Sequence, residues 1–140
     1  MLNSCTEKKY YQDSSANWET IIVSVKKNMW EWNSNLQRYE YILNISSDDI
    51  IIDDFIYEDG LVIPYLLLGK PNQGETQHLI SGGSYIPSQK GVFGCDTSIS
   101  RDNDDLFTVR FYYYWDNPND FGREDFTFRL LLLWGNAIYK

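Results

Sequence analysis

The segment Phe126-Thr127-Phe128-Arg129-Leu130-Leu131-Leu132-Leu133-Trp134 constrains the fold more than any other part of this chain. It starts with apolar residues at every second position and then becomes apolar on both sides. A period of two belongs to a strand, and a strand apolar on both sides is covered on both faces. The segment therefore predicts a buried central strand near the C-terminus of a sheet protein.

Other stretches repeat the alternation. Ile21, Val23 and Val25 form one face of an early strand, and Ile22 makes part of it apolar on both sides. The phase then slips, because Trp30 and Trp32 sit on even numbers. Lys26-Lys27-Asn28 is expected to hold a bulge or a short crossing between sheets. Asn33-Ser34-Asn35 is a turn cluster, and Tyr39, Tyr41, Leu43 and Ile45 alternate after it. Residues 30–45 read as a hairpin with Trp30 and Trp32 near Tyr39 and Tyr41, and with Glu31 and Glu40 on the other face. Residues 106–114 place Phe107, Val109, Phe111 and Tyr113 on one face and Thr108, Arg110, Tyr112 and Tyr114 on the other.

Between these lie weaker signals. Ser47-Asp48-Asp49 could cap one helical turn within 48–56, with Ile50, Ile51 and Phe55 covering an open end. A short strand through 50–52 is the competing reading. Residues 61–68 form an apolar strand in which Pro64 favours an edge or a bulge. Residues 77–80 and 92–99 read as weaker strands, while 81–84 and 87–94 read as loops. About seven or eight short strands with polar turns predict an all-β fold, a two-layer antiparallel β-sandwich of Ig-like or jelly-roll-like type. A small closed barrel is the runner-up.

At 140 residues the chain is one domain long. Residues 1–17 are polar and lack periodicity, so they read as a tether before a domain at 18–140. The formal net charge is -8, from 20 acidic and 12 basic residues. That charge disfavours nucleic acid, which a basic patch usually holds, and electrostatic docking on anionic lipid. No run reaches the roughly 20 apolar residues of a membrane-spanning helix.

Catalytic chemistry is sparsely furnished. A nucleophile needs an adjacent base, and the only histidine is His78, formally available to Cys95. Zinc is set aside for want of ligands, and no glycine loop reads as a phosphate cradle. The chain reads as non-enzymatic, with no cofactor. Asp102, Asp104 and Asp105 are the best candidates for calcium, although solvated turn acids are the default for such residues. Tyr112, Tyr114 and Trp115, with Arg110 and Arg129, could form an aromatic face that stacks on sugar rings or docks a protein. Buried strand faces are the plainer account of the same aromatics.

The start, Leu2-Asn3-Ser4-Cys5, resembles the end of a bacterial lipoprotein signal: an aliphatic residue three before the cysteine and a small residue just before it. The resemblance makes Cys5 the acylated residue and the polar stretch after it a leash. The apolar stretch that should precede such a motif is missing from these residues. A wider likeness spans about 18–134. It rests on Trp30-Glu31-Trp32, Arg38-Tyr39-Glu40-Tyr41, Tyr57-Glu58-Asp59-Gly60-Leu61-Val62-Ile63 and Phe126-Thr127-Phe128-Arg129-Leu130. Together these resemble small lipoproteins of Bacteroidetes-type bacteria, for which no activity is established. Gln77-His78-Leu79 lies where such proteins often carry a Gln/Leu/Pro motif, from which Ser81 and Gly82 depart. The resemblance implies a β-sandwich in the cell envelope, in the periplasm or at the cell surface, lipid-anchored through Cys5; with no catalytic set in the acidic domain, a surface that binds glycan or protein is the expected role. A carboxylate enzyme acting on envelope polysaccharide, or a structural subunit of a surface assembly, is the alternative.

Overall fold

The computed structural model describes residues 5–12, 16–46, 54–80, 84–88, 91–103, 106–115 and 123–135. They form a two-layer, all-antiparallel β-sandwich of two five-stranded sheets. The elements are β1 (Cys5–Gln12), β2 (Ala16–Val25), β3 (Glu31–Asn33), β4 (Arg38–Ser46), α1 (Asp54–Asp59), β5 (Leu61–Lys70), β6 (Gln73–Leu79), β7 (Ser84–Ser88), β8 (Gly91–Asn103), β9 (Leu106–Trp115) and β10 (Phe126–Gly135). Sheet A has the order β1-β2-β10-β5-β6 and sheet B the order β3-β4-β9-β8-β7.

β10 is the centre of sheet A, between β2 and β5, as its two-sided apolar character requires. β9 holds the same place in sheet B, between β4 and β8. Cross-strand partners share a face, so the register assigns each side chain to the core or to an outer surface. Ile21, Val23, Leu66, Phe128, Leu130 and Leu132 line the core side of sheet A. Leu43, Ile45, Phe93, Phe107, Val109, Phe111 and Tyr113 line it from sheet B. The two central strands meet where Phe111 stacks on Phe128, ring centroids 4.4 Å apart.

The phase slip after Val25 is a crossing. A 3-10 turn (Lys27–Met29) carries the chain from sheet A to sheet B and drops Trp30 into the core. Trp30 lies edge-on to Tyr113 at 4.7 Å and to Phe128 at 6.1 Å. Its indole N–H donates to the Glu124 carbonyl at 2.8 Å, and Arg123 Nε donates to the Trp30 carbonyl at 2.9 Å. A buried Trp needs such a partner, and here it ties the crossing to the approach of β10. α1 closes the opposite end, through buried Ile56 and through Tyr57 against Phe107.

Several boundaries differ from expectation. Residues 5–12, read as part of a tether, form β1 and pair with β2 from Cys5 opposite Ser24 to Gln12 opposite Asn17. An edge strand can be recruited through its backbone alone, without a hydrophobic period. β7 occupies part of the stretch read as loop, and with β1 it brings the strands among the described residues to ten, against the expected seven or eight. β5 is an inner strand, yet Pro64 still sits at a local edge. Its carbonyl accepts from Ile80 N–H at 3.2 Å, just past the last β5–β6 register pair, Tyr65 with Leu79. The proline's missing N–H is on that same side, where the ladder is ending. The helical turn falls at 54–59; Ile50 and Ile51, expected to cover the end, lie outside the described residues.

Candidate functional site

The residues singled out as a binding face do not share one. Arg110, Tyr112 and Tyr114 lie on the outer face of sheet B, as the alternation of β9 dictates. Trp115 does not join them. It is 5% exposed, in phase with Phe111 and Tyr113, and packs edge-on to Phe93 at 5.4 Å. Arg129 lies on the outer face of sheet A, in the other layer, where its Nη1 donates to Gln77 Oε1 at 2.7 Å.

On sheet B the tyrosine rings are already engaged. The Arg38 guanidinium lies 3.9 Å from the Tyr112 ring centroid, while Arg38 Nε donates to Glu40 Oε1 at 2.7 Å. Tyr114 lies across Gly94. A Cβ on Gly94 would come within 2.2 Å of the Tyr114 ring, so only glycine leaves that ring its place. Further along the face Thr108 donates to Asp102 and, at 3.3 Å, to Asn44 Oδ1, and Ser100 donates to Asp102 at 3.3 Å.

Those bonds engage the Asp102 carboxylate. Asp104 and Asp105, the other calcium candidates, lie outside the described residues. Among the described residues no three His, Cys, Asp or Glu side chains gather as a metal site would require. Cys95 is fully buried, and burial, with the nearby Asp96 charge, pushes its thiol well above the usual range. A thiol so placed stays protonated at neutral pH and is a poor nucleophile. His78, on edge strand β6, is within hydrogen-bond distance of Thr76 Oγ1 at 3.1 Å.

Two features escaped the sequence reading. The first is a concavity of about 440 Å³ between the 3-10 turn and the edge of β4, lined by Asn28, Met29, Glu31, Glu40 and Ile42 among others. Glu31 and Glu40 stand opposite each other in its wall, as register partners of β3 and β4. Their parity had put them on one face; nothing in the sequence showed that the pairing of β3 stops there. The second is Glu19, 0% exposed and opposite Leu132 on the core side of sheet A. Its odd number, in step with Ile21 and Val23, was the available signal.

The outer face of sheet A has another character. Ile22, Ile63, Leu67, Leu131 and Leu133 lie half-buried on it, and Leu61 and Leu79 are 60% and 52% exposed. A depression of about 360 Å³ opens between Ile22, Leu67, Pro71, Glu75 and Arg129. No protein-family model, curated protein or solved structure matches this chain.

Proposed function

We propose that this chain is a non-enzymatic lipoprotein domain of the cell envelope, anchored through Cys5, that presents a sandwich surface to a protein partner. One observation carries the binding reading: the outer face of sheet A gathers Leu61, Ile63, Leu131 and Leu133 as cross-strand neighbours, with Leu61 and, further along the face, Leu79 more than half exposed. Large contiguous apolar patches mark interaction sites more often than free surface. A protein suits it better than a glycan, because sugar stacking needs an open ring face. Tyr112 has Arg38 over it and Tyr114 lies on Gly94. The address rests on Leu2-Asn3-Ser4-Cys5. Since Cys5 opens β1, an acyl chain there would hold the sandwich close to the lipid, without a leash.

The test has two arms in cells carrying the gene with its native leader. Palmitate should label the protein and place it in the membrane fraction, and Cys5→Ala should abolish both. A photo-crosslinker at Leu79 should give a discrete protein adduct that one at Ser98, on the other outer face, does not. A soluble unlabelled product would end the anchor, and equal crosslinking at both positions would end the docking face.

A second reading takes Glu31 and Glu40 as a carboxylate pair for cleaving polysaccharide, because they face each other at the concavity. The setting counts against it. Glu31 is exposed and Glu40 is held by Arg38, whereas a general acid needs a dry environment. Hydrolysis of an envelope glycan abolished by both Glu31→Gln and Glu40→Gln would reverse that preference.

A further inference from the structure

We propose that the open edge of β4 is a docking site for an extended peptide strand bearing a lysine or arginine. β3 pairs only with residues 38–40 of β4. Beyond them, residues 41–46 pair with β9 on one side and, among the described residues, with nothing on the other. That row reads Tyr41-Ile42-Leu43-Asn44-Ile45-Ser46, with no charge, no proline and no glycine.

Proteins guard open edges with lysine, proline or bulges, because unpaired N–H and C=O groups recruit other strands. Three of the other edges of the described strands carry such guards, and the fourth, β3, is only three residues long. β1 contains Lys8 and Lys9, β7 contains Pro87, and the β5–β6 pairing shifts register at Lys70. The exposed stretch of β4 has none of these, and its pairing with β9 runs without a register shift. An unguarded edge of high β propensity is accounted for when a strand covers it.

The surroundings define the occupant's chemistry. An added strand would continue the row that β3 leaves, in the concavity bounded by Asn28 and Met29. At its mouth Glu31 and Glu40 are direct cross-strand partners, an arrangement that like charges disfavour. Arg38 answers Glu40, and Glu31 has no cationic partner among the described residues. A lysine or arginine opposite Ile42, which is 44% exposed, would lay its stem over that side chain and bring its charge between the two glutamates. The flanking residues of the strand would be β-branched, towards Tyr41 and Leu43. A second copy of this chain would bring the same acidic rim and a net charge of -8, so a cationic segment is the better complement. Neither the Cys5 anchor nor the outer face of sheet A enters this proposal, so each can fail without the other.

Fluorescence anisotropy with a labelled, end-capped Val-Lys-Val-Thr-Val peptide tests it. Saturable binding is expected, about tenfold weaker when the lysine is replaced by glutamate. Glu31→Lys should reverse that preference. N-methylating one set of alternate amides should weaken binding about tenfold or more, and methylating the other set should leave it unchanged, because a strand bonds its neighbour through alternate residues. Ile42→Asp, checked for folding by circular dichroism, should abolish binding. The proposal is overturned if the peptide does not bind, if both methylation sets act alike, or if Ile42→Asp binds as well as the parent. It is also overturned if the protein forms a dimer, dissociated by Ile42→Asp, that the peptide cannot displace.

Discussion

Sheet A and sheet B close over one core but differ on both of their faces. Sheet A packs mostly aliphatic residues inward and shows more aliphatic residues outward, with Arg129 near the middle of that surface. Sheet B packs aromatic rings inward and covers its outer face with Arg38, Glu40, Asn44, Asp102 and Thr108, joined by hydrogen bonds and one cation–π contact. In sheet B the outward polar groups satisfy one another, which leaves little demand for a partner. In sheet A the outward groups are mostly aliphatic, apart from such residues as Arg129 bonded to Gln77, and offer chiefly contact area. The network has two parts on β4, Arg38 with Glu40 and Asn44 with Thr108, and exposed Ile42 lies between them where β3 has stopped.

The largest effect should separate neighbours on β10. Leu132→Ala is expected to cost about 2–5 kcal/mol, since Leu132 is fully buried in a central strand. Leu131→Ala, on the outer face of the same strand, should cost roughly 1 kcal/mol. Urea unfolding midpoints at constant slope would measure both. Equal losses would make the outer surface of sheet A a second core and break the comparison.

Alkaline pH should divide the sheets. Burial raises the Cys95 thiol from its ordinary value of 9.0 and the Tyr113 hydroxyl from 10.0, and both residues belong to sheet B. Tyr113 also accepts a hydrogen bond from Glu124 N–H at 3.0 Å, which acts in the opposite direction but is the smaller cause. The neutral forms are the ones favoured by folding. Their contribution is therefore complete below the unfolded values and fades as pH rises through and beyond them. Thermal midpoints should hold through neutral pH and fall above about 9 to 10. Cys95→Ala and Tyr113→Phe should each flatten that fall. Hydrogen exchange should show sheet B loosening first, and simultaneous opening of both sheets would blur the distinction.

Smaller effects probe the outer face of sheet B. Gly94→Ala should cost about 1 kcal/mol, the lower end for overpacking, because the Tyr114 ring can swing away from the new methyl. Adding Tyr114→Ala should return most of the loss, and a purely additive double variant would show that the ring was not the obstacle. Glu31→Lys should raise stability by roughly 0.2–1 kcal/mol, by replacing a like-charged cross-strand pair with an opposite one. A gain there, from so simple a change, would mark a position kept for binding rather than for folding.

Most of the core was legible because burial in a strand follows parity. Ile21, Val23 and Val25 and the inward residues of β9 all follow from a period of two, whereas Trp32, which pairs with Tyr39 as expected, is 40% exposed. Parity gives a strand its two faces but not its sheet. Arg129 was therefore associated with Arg110 although β10 and β9 belong to opposite layers. Trp115 was legible and missed, since its number keeps step with Phe111 and Tyr113. β1 was missed, and β8 was read only as a weaker strand over 92–99, for another reason. Residues such as Lys8, Asp96, Ser98 and Ser100 can sit on an edge or an outer face, where the backbone supplies the attraction and the side chains carry little pattern. The concavity beside β4 depends on where a partner strand ends, which is a relation between segments.

The strand order also bears on how the protein is made. The centres of the two sheets are β9 and β10, the last two of the described strands to leave a ribosome. Until they emerge, β2 and β5 have no strand between them, and neither do β4 and β8. The earlier strands must therefore wait as hairpins at most, with their apolar faces in water, before the chain collapses around β9 and β10. Such late, long-range closure makes for slow folding and gives chaperones a substrate during synthesis.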